Sequence, residues 1–397
     1  MVTEHDYPGS YSPVQRFVKQ WRAEHRQPSE GYGELDWSAG TIQVDFGQAE
    51  AIIAGVRLVL HVLVVTFPFS NMRFAQAYRG ETAECVCHGL RTIFEHIGLV
   101  PTLMIFDNAT GIGKRVADKV IETTLFSAFR LHYRTHSRYC NPASGHEKGS
   151  VENAVGFLRR NLMVPEPHAV SLEALNTTLL AQCDELAGEQ HYRHDVPIRQ
   201  LFDQDLAACL PLPGIGFDPV RYEPRKTDKR GYITVESNTY AAGPAFHSRA
   251  LTVGIRADTI EILDEHANPV VTFQRVFGHH PDTIFQPAAL LPLLATKPGS
   301  WSHSLVRTAV SDPLRDWLDT ASMPQRRKAF TGLAAAAQAT DFDTATTAAT
   351  TLITTGDTPS SAALGMLARR MAQGSQPTTT VVNLDVYDQL TDRKATA

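Results

Sequence analysis

Nothing in the 397 residues is long and apolar enough to read as a membrane span. The longest apolar run, Leu58 to Phe69, is interrupted by His61 and contains Pro68, whereas a spanning helix needs about 20 predominantly apolar residues. The opening Met1-Val2-Thr3-Glu4-His5-Asp6 has no basic stretch followed by an apolar one, so no secretory leader is expected. Cysteine is scarce, with five residues scattered at 85, 87, 140, 183 and 209. An odd, scattered set points to free thiols in a reducing compartment rather than a disulfide framework. A zinc motif is missing too. Cys85-Val86-Cys87-His88 suits a part-buried helix, and Gly278-His279-His280 has no cysteine partner nearby. The chain also lacks an overall excess of positive charge, since its formal net charge is −5.

The distribution of charge is more informative than its sum. Between Lys114 and Arg160 stand nine Lys/Arg against four Asp/Glu, a local +5 that leaves −10 for the rest of the chain. A basic field inside an acidic protein suits a polyanion bound at one place. A solvated basic surface without consequence is the plain alternative.

Periodicity then orders the elements. Ser12 and Pro13 open a short amphipathic helix with Val14, Phe17, Val18 and Trp21 on one stripe and Arg16 and Lys19 elsewhere. Ile42, Val44 and Phe46 alternate with Gln43 and Asp45, the mark of a strand. Leu58 to Thr66 is a near-continuous apolar run, expected as a strand covered on both faces. A third strand is expected over 73–78, a helix from Thr82 to Ile97 stopped by Gly98, and a buried strand over 101–106. A helix near 123–131 and an alternating segment over 133–139 follow. Val151, Val155, Leu158 and Leu162 form the buried stripe of the next helix, and Glu152, Lys148 and Arg159 fall on its flank.

Three acids therefore stand on suitable elements: Asp45 on the first strand, Asp107 at the end of the fourth and Glu152 on a helix. Each alone has a bland reading. Asp107-Asn108 is a good turn former, and Lys148/Glu152 makes an ordinary i,i+4 pair. Together, carboxylates converging from two strands and a helix suit two hard divalent cations that catalyse in-line phosphoryl transfer. Basic neighbours would position a phosphate backbone. Glu147 rivals Glu152 but lies in the loop before the helix.

Gln43-Val44-Asp45-Phe46-Gly47, Phe106-Asp107-Asn108-Ala109 and Glu147-Lys148-Gly149-Ser150-Val151-Glu152-Asn153 resemble the three acid motifs of a DDE transposase with an integrase catalytic core. The likeness is to the IstA-type bacterial insertion-sequence transposases. The motifs span 43–153, and weaker resemblance runs from about Tyr7 to Leu390. The resemblance implies that Asp45, Asp107 and Glu152 are catalytic and bind two Mg2+ (or Mn2+) ions. It implies cleavage at the ends of a mobile element and attack of the freed 3′ hydroxyl on target DNA. Implied partners are double-stranded DNA, further copies of the chain assembled on it, and an IstB-type ATPase helper, in the bacterial cytoplasm and without a membrane. Arg16, Lys19, Lys148, Arg159 and Arg160 are the candidate DNA contacts.

The expected fold class is α/β, an RNase-H-like mixed-sheet core followed by a small all-β barrel and a helical C-terminal region. The expected boundaries are 1–30 for the remnant of an N-terminal helix-turn-helix region, 36–170 for the catalytic core and 171–215 for a helical connector. The barrel is expected over 216–280, where short strands recur every eight to twelve residues. A helical region over 281–372 and a tail over 373–397 complete the chain. Two other functions fit the same residues: a truncated, non-catalytic DNA-binding remnant, and an RNase-H-like nuclease that hydrolyses without strand transfer.

Overall fold

The alternation around Val44 builds a long central strand, and the core assembles on both sides of it. The computed structural model describes residues 11–24, 37–107, 111–116, 119–140 and 155–374. The chain divides into two compact units, Met1–Pro219 and Val220–Ala397.

In the first unit, β1 (Thr41–Ile53), β2 (Val56–Phe67) and β3 (Met72–Tyr78) form an antiparallel meander, and β4 (Leu103–Phe106) and β5 (His136–Tyr139) add parallel strands. The sheet order is β3-β2-β1-β4-β5. This is a mixed sheet of the RNase-H-like kind, as expected. Strand β1 is its hinge of direction, pairing antiparallel with β2 and parallel with β4.

Helices cover both faces, which explains why β2 reads as a near-continuous apolar run. The helices that pack on the sheet are α2 (Ala83–Ile97), α3 (Thr124–Tyr133), α4 (155–162), α5 (Leu172–Leu186) and α6 (Ile198–Ala208), whereas α1 (Tyr11–Glu24) is largely exposed, Phe17 and Trp21 included. On one face Phe106 meets Phe126 of α3 edge to face at 5.3 Å, Phe94 of α2 meets Tyr133 at 5.4 Å, and Phe202 of α6 meets Phe67 at 5.0 Å. Such pairs add roughly 0.5–1.5 kcal/mol each beyond their area burial. On the other face α4 and α5 bring Val155, Leu158, Leu162 and Leu179 beside Gly47, Ala49, Val62, Val64 and Ala75. The 155, 158, 162 part of the expected helical stripe is therefore observed.

The stretch expected as a connector, 171–215, contains α5 and α6, and both pack on the sheet. Asn176 of α5 accepts a hydrogen bond from the Ala77 amide at 2.6 Å and donates one to the Ala77 carbonyl at 3.0 Å. It thereby satisfies backbone groups on β3, the outer strand of this sheet. Asp205 of α6 is fully buried and accepts the Gly40 amide at 2.8 Å, which ties α6 to the start of β1.

One element was missed in the sequence. Gly113–Val116 and Lys119–Glu122 pair as an antiparallel hairpin between β4 and α3. Its strands are four residues each and carry four charges among eight residues, so neither hydrophobic alternation nor length announces them.

The second unit begins with β6 (Arg221–Lys226), β7 (Tyr232–Val235), β8 (Asn238–Ala241), β9 (Ala250–Ile255), β10 (Thr259–Leu263) and β11 (Pro269–Gln274). It is β-rich, as expected. Its ladders are an open four-stranded sheet, β6-β9-β10-β11, and a β7-β8 hairpin. No ladder among the described residues closes these into a barrel. The hairpin joins the sheet through side chains instead: Ile233, Val235 and Tyr240 share one core with Val253, Ile255, Ile260 and Phe273. The helical region follows as expected with α7 (Pro287–Thr296), α8 (Asp312–Thr320), α9 (Met323–Ala339), α10 (Phe342–Thr354) and α11 (Ser361–Ala372), packed around Trp301, Phe330 and Leu364.

One buried charge organises the β-rich part. The Arg275 guanidinium is fully buried, donates to both carboxylate oxygens of Glu236 at 2.8–3.1 Å, and donates to the Arg256 carbonyl at 2.6 Å. Glu236 opens the β7-β8 turn in a left-handed conformation (φ 49°). Glu236→Ala removes a paired carboxylate from the buried guanidinium and should cost about 3–5 kcal/mol. Thermal melting followed by circular dichroism checks this; a variant that melts like the parent would refute it.

Candidate active site

The pairing of β1 with β4 brings two of the three expected acids together, Asp45 inside β1 and Asp107 just after β4. Val44 pairs with Phe106 in parallel register, so Asp45 and Asp107 occupy the next positions on neighbouring strands. Parallel strands lie about 4.8 Å apart, so the backbones of the two acids are close. Asp45 also accepts its neighbour's amide, Phe46 N–H, at 2.8 Å. A cavity beside Asp45 is lined by Val44, Asp45, Phe46, Glu81, Val86, Phe106 and Ile112.

Glu152 and Lys148, like the rival Glu147, lie outside the described residues. Arg159 and Arg160 are exposed on α4, and Arg16 and Lys19 are exposed on α1.

Helix α4 reaches the sheet because Gly47 has no side chain. A Cβ placed on Gly47 would stand 2.5 Å from Val155 Cγ1, far inside van der Waals contact. The glycine two residues after Asp45 is thus the seat of the helix that begins, in the described chain, three residues after Glu152. A second restraint comes from the sheet side, where the Arg73 guanidinium lies over the Phe157 ring at 4.3 Å and donates to Asn71 Oδ1 at 2.6 Å. Gly47 was quoted as part of the first acid motif but not for this role. A glycine inside a strand often signals close backbone approach, and that was the available clue.

Sequence reasoning also missed Glu81. It lines the same cavity as Asp45, and its Oε1 is hydrogen bonded to His61 Nδ1 at 2.8 Å. The chain returning from Asp107 packs against it. Gly111 sits at φ +84°, where any Cβ would overlap the Glu81 carbonyl oxygen. Nothing in the spacing of Glu81 sets it apart from a solvated residue before a helix.

The hairpin is anchored beside the site by Glu122. This carboxylate accepts hydrogen bonds from Ser137 Oγ at 2.5 Å, Tyr139 Oη at 2.9 Å and Ser127 Oγ at 3.0 Å, and it pairs with Arg130 Nε at 3.3 Å. Burial alone would raise its pKa. The hydrogen bonds and the arginine charge outweigh burial, so the net shift is downward. Burial first, and then the neighbouring Glu122 carboxylate, push the Tyr139 phenol up.

Asp45 and Asp107 supply hard oxygen donors, which fit a divalent cation that keeps some of its waters. Among the described residues, no group of three carboxylate, imidazole or thiolate side chains gathers closely enough to ligate an ion.

The mixed sheet, with Asp45 in β1 in register beside Asp107 after β4, is an RNase-H-like arrangement. Residues 212–284, which contain β6 to β11, match the family described as Mu transposase, C-terminal domain. The chain is 29% identical over 324 residues to a transposase of Aminobacter aminovorans, covering 78% of this chain and 63% of that protein. It is 26% identical over 283 residues to the transposase for insertion sequences IS1326/IS1353 of Pseudomonas aeruginosa, covering 68% and 55%. It is 26% identical over 220 residues to the transposase for insertion sequence element IS21 of Pseudomonas aeruginosa, covering 55% and 56%. The chain is thus related to the transposases of IS21- and IS1326-type insertion sequences, and it spans between 55% and 63% of the length of these relatives. Among solved structures, the HTLV-2 integrase catalytic core domain in complex with magnesium is 14% identical, covers 41% of this chain and 94% of that one, and gives a TM-score of 0.30.

Two outcomes follow from this geometry. Gly47→Ala should cost about 1–3 kcal/mol by overpacking, and Val155→Ala on top of it should return part of that loss. Denaturant unfolding of the two single variants and the double variant measures the coupling, and strict additivity would sink the close-approach account. Glu122→Gln should lower the melting temperature at pH 7. A depressed carboxylate pKa stabilises the fold above the ordinary glutamate range, and that stabilisation is lost as pH falls through the lowered value. The gap between parent and variant should therefore shrink in melts taken from pH 5 downward; a gap independent of pH would count against the assignment.

Proposed function

We propose that this chain is a DDE transposase acting on DNA. The observation that carries the reading is the register that sets Asp45 beside Asp107 on neighbouring parallel strands, in a chain related to insertion-sequence transposases. Asp45, Asp107 and Glu152 hold two Mg2+ (or Mn2+) ions. When bound, these ions lower the barrier to attack on a phosphodiester and stabilise the departing oxygen.

The chain's own groups do the rest. The three carboxylates fix the positions of the ions, α4 seats against Gly47, and the apolar walls formed by Val44, Val86, Phe106 and Ile112 limit water. Arg16, Lys19, Lys148, Arg159 and Arg160 contact phosphates, which orients DNA without reading its sequence. In the first step water attacks the phosphorus at an element end; one P–O bond forms, one breaks, and a 3′ hydroxyl is released. In the second step that hydroxyl attacks a target phosphodiester, and the departing 3′ oxygen takes up a proton. Further copies of the chain on paired DNA ends and an IstB-type ATPase helper complete the proposed reaction, in the bacterial cytoplasm.

The test is magnesium-dependent joining of a pre-cleaved 3′-hydroxyl DNA end to a plasmid. The parent should join, and Asp45→Asn, Asp107→Asn and Glu152→Gln should each lose several orders of magnitude. Joining retained in any of the three removes that residue from the site. Nicking without joining by the parent would favour a nuclease, and binding without reaction would favour a non-catalytic remnant.

A further inference from the structure

The hairpin and the β5 edge carry a positive charge that the proposed chemistry leaves unused. Lys114 and Lys119 on the hairpin, Arg134 after α3 and Arg138 on β5 are all exposed. The one acid among the described residues of 111–140 is Glu122, and it is turned inward, with a side chain 12% exposed and occupied by Ser127, Arg130, Ser137 and Tyr139. Within these elements, then, no described acid offsets the exposed cations, although the chain as a whole is at −5.

Their placement relative to the acids is fixed by two ladders. Arg138 pairs with Ile105, and Ile105 pairs with Gln43. Side chains at paired positions share a face, and so do positions two apart along a strand, so Arg138 lies on the Asp45 face of the sheet, two strands over. The Glu122 anchor holds the hairpin base at Ser137 and Tyr139, and Tyr139 is the register partner of Phe106, the residue before Asp107. Lys114 is the next residue outward from the Gly113–Glu122 pair. Ser137 and Tyr139 alternate with Arg138 along β5, so the hairpin base lies on the opposite face, and the cations bracket the β5 edge, with Arg138 on the Asp45 face and the hairpin across the edge.

A site built of carboxylates repels a phosphodiester at a distance, so cations beside it are needed to draw a polyanion in. We propose that the 113–122 hairpin and β5 form a phosphate-backbone contact for duplex DNA, with Lys114, Lys119 and Arg138 as its cations. This rests on the DNA-acting reading above and adds a contact surface to it. The contact is to phosphates and carries no base specificity.

The experiment is fluorescence anisotropy of a labelled random-sequence DNA duplex, in EDTA so that no ion-dependent chemistry intervenes, as a function of salt. Each phosphate contact contributes about 0.9 to the slope of log affinity against log salt. The variant carrying Lys114→Gln, Lys119→Gln and Arg138→Gln should lose about 2–3 in slope, equally on unrelated duplexes. Circular-dichroism melting establishes that it is folded; should it not be, Lys114→Gln and Arg138→Gln taken singly should each lose about 1. A variant slope within about 0.5 of the parent's overturns the proposal while leaving the DNA reading standing. A parent that shows no salt-dependent binding overturns both. Displacement of the duplex by polyglutamate at lower concentration than by unlabelled duplex would assign the surface to an acidic protein, and would also overturn it.

Discussion

Strand β1 carries two ladders of opposite sense, and this constraint places everything else in the first unit. Its antiparallel partner β2 turns back through a tight connection and needs β3 beyond it. Its parallel partner β4 can be reached only by a crossover, which α2 supplies on one face. The parallel side matters for chemistry, because the Val44–Phe106 register puts Asp45, inside β1, beside Asp107, just past the end of β4, without any long side chain reaching across.

The same strand sets how the helices sit. Gly47 opens one face to α4, and Arg73 over Phe157 locks that helix from the neighbouring part of the sheet. Opposite, two aromatic clusters, Phe67, Phe74 and Phe202 in one and Phe94, Phe126, Phe129 and Phe106 in the other, seat α2, α3 and α6. The sheet fixes two acids to within a backbone register, and the glycine fixes how close the helix approaches.

Polar groups buried in this framework act as fasteners rather than reagents. Glu122 gathers the hairpin, α3 and β5 onto one carboxylate; Asp205 and Asn176 tie α6 and α5 to the sheet. In the second unit the Arg275–Glu236 pair does the equivalent for the β7-β8 turn. Each carries a desolvation cost that is offset only with every partner in place, so these are the points where single substitutions hurt most.

Local pattern in the sequence determined the elements themselves: alternation marked β1, the apolar run marked β2, capping and Gly98 marked α2, and the 155, 158, 162 spacing marked α4. The acids at 45 and 107 were legible because one stood on a strand and the other ended one. What only the tertiary structure decided was non-local. The Val44–Phe106 register joins residues 62 apart. The role of Gly47 exists only because Val155 arrives there. Glu81 lines the cavity with Asp45, 36 residues away in sequence, and Gly111 packs on its backbone. The hairpin escaped notice because four charges among eight residues hide its alternation, and its anchor, Glu122, draws on partners as far as 17 residues away. Sequence period reports which face of an element is apolar, but contact between elements is a property of the folded chain, and it is contact that turns scattered acids and cations into a site.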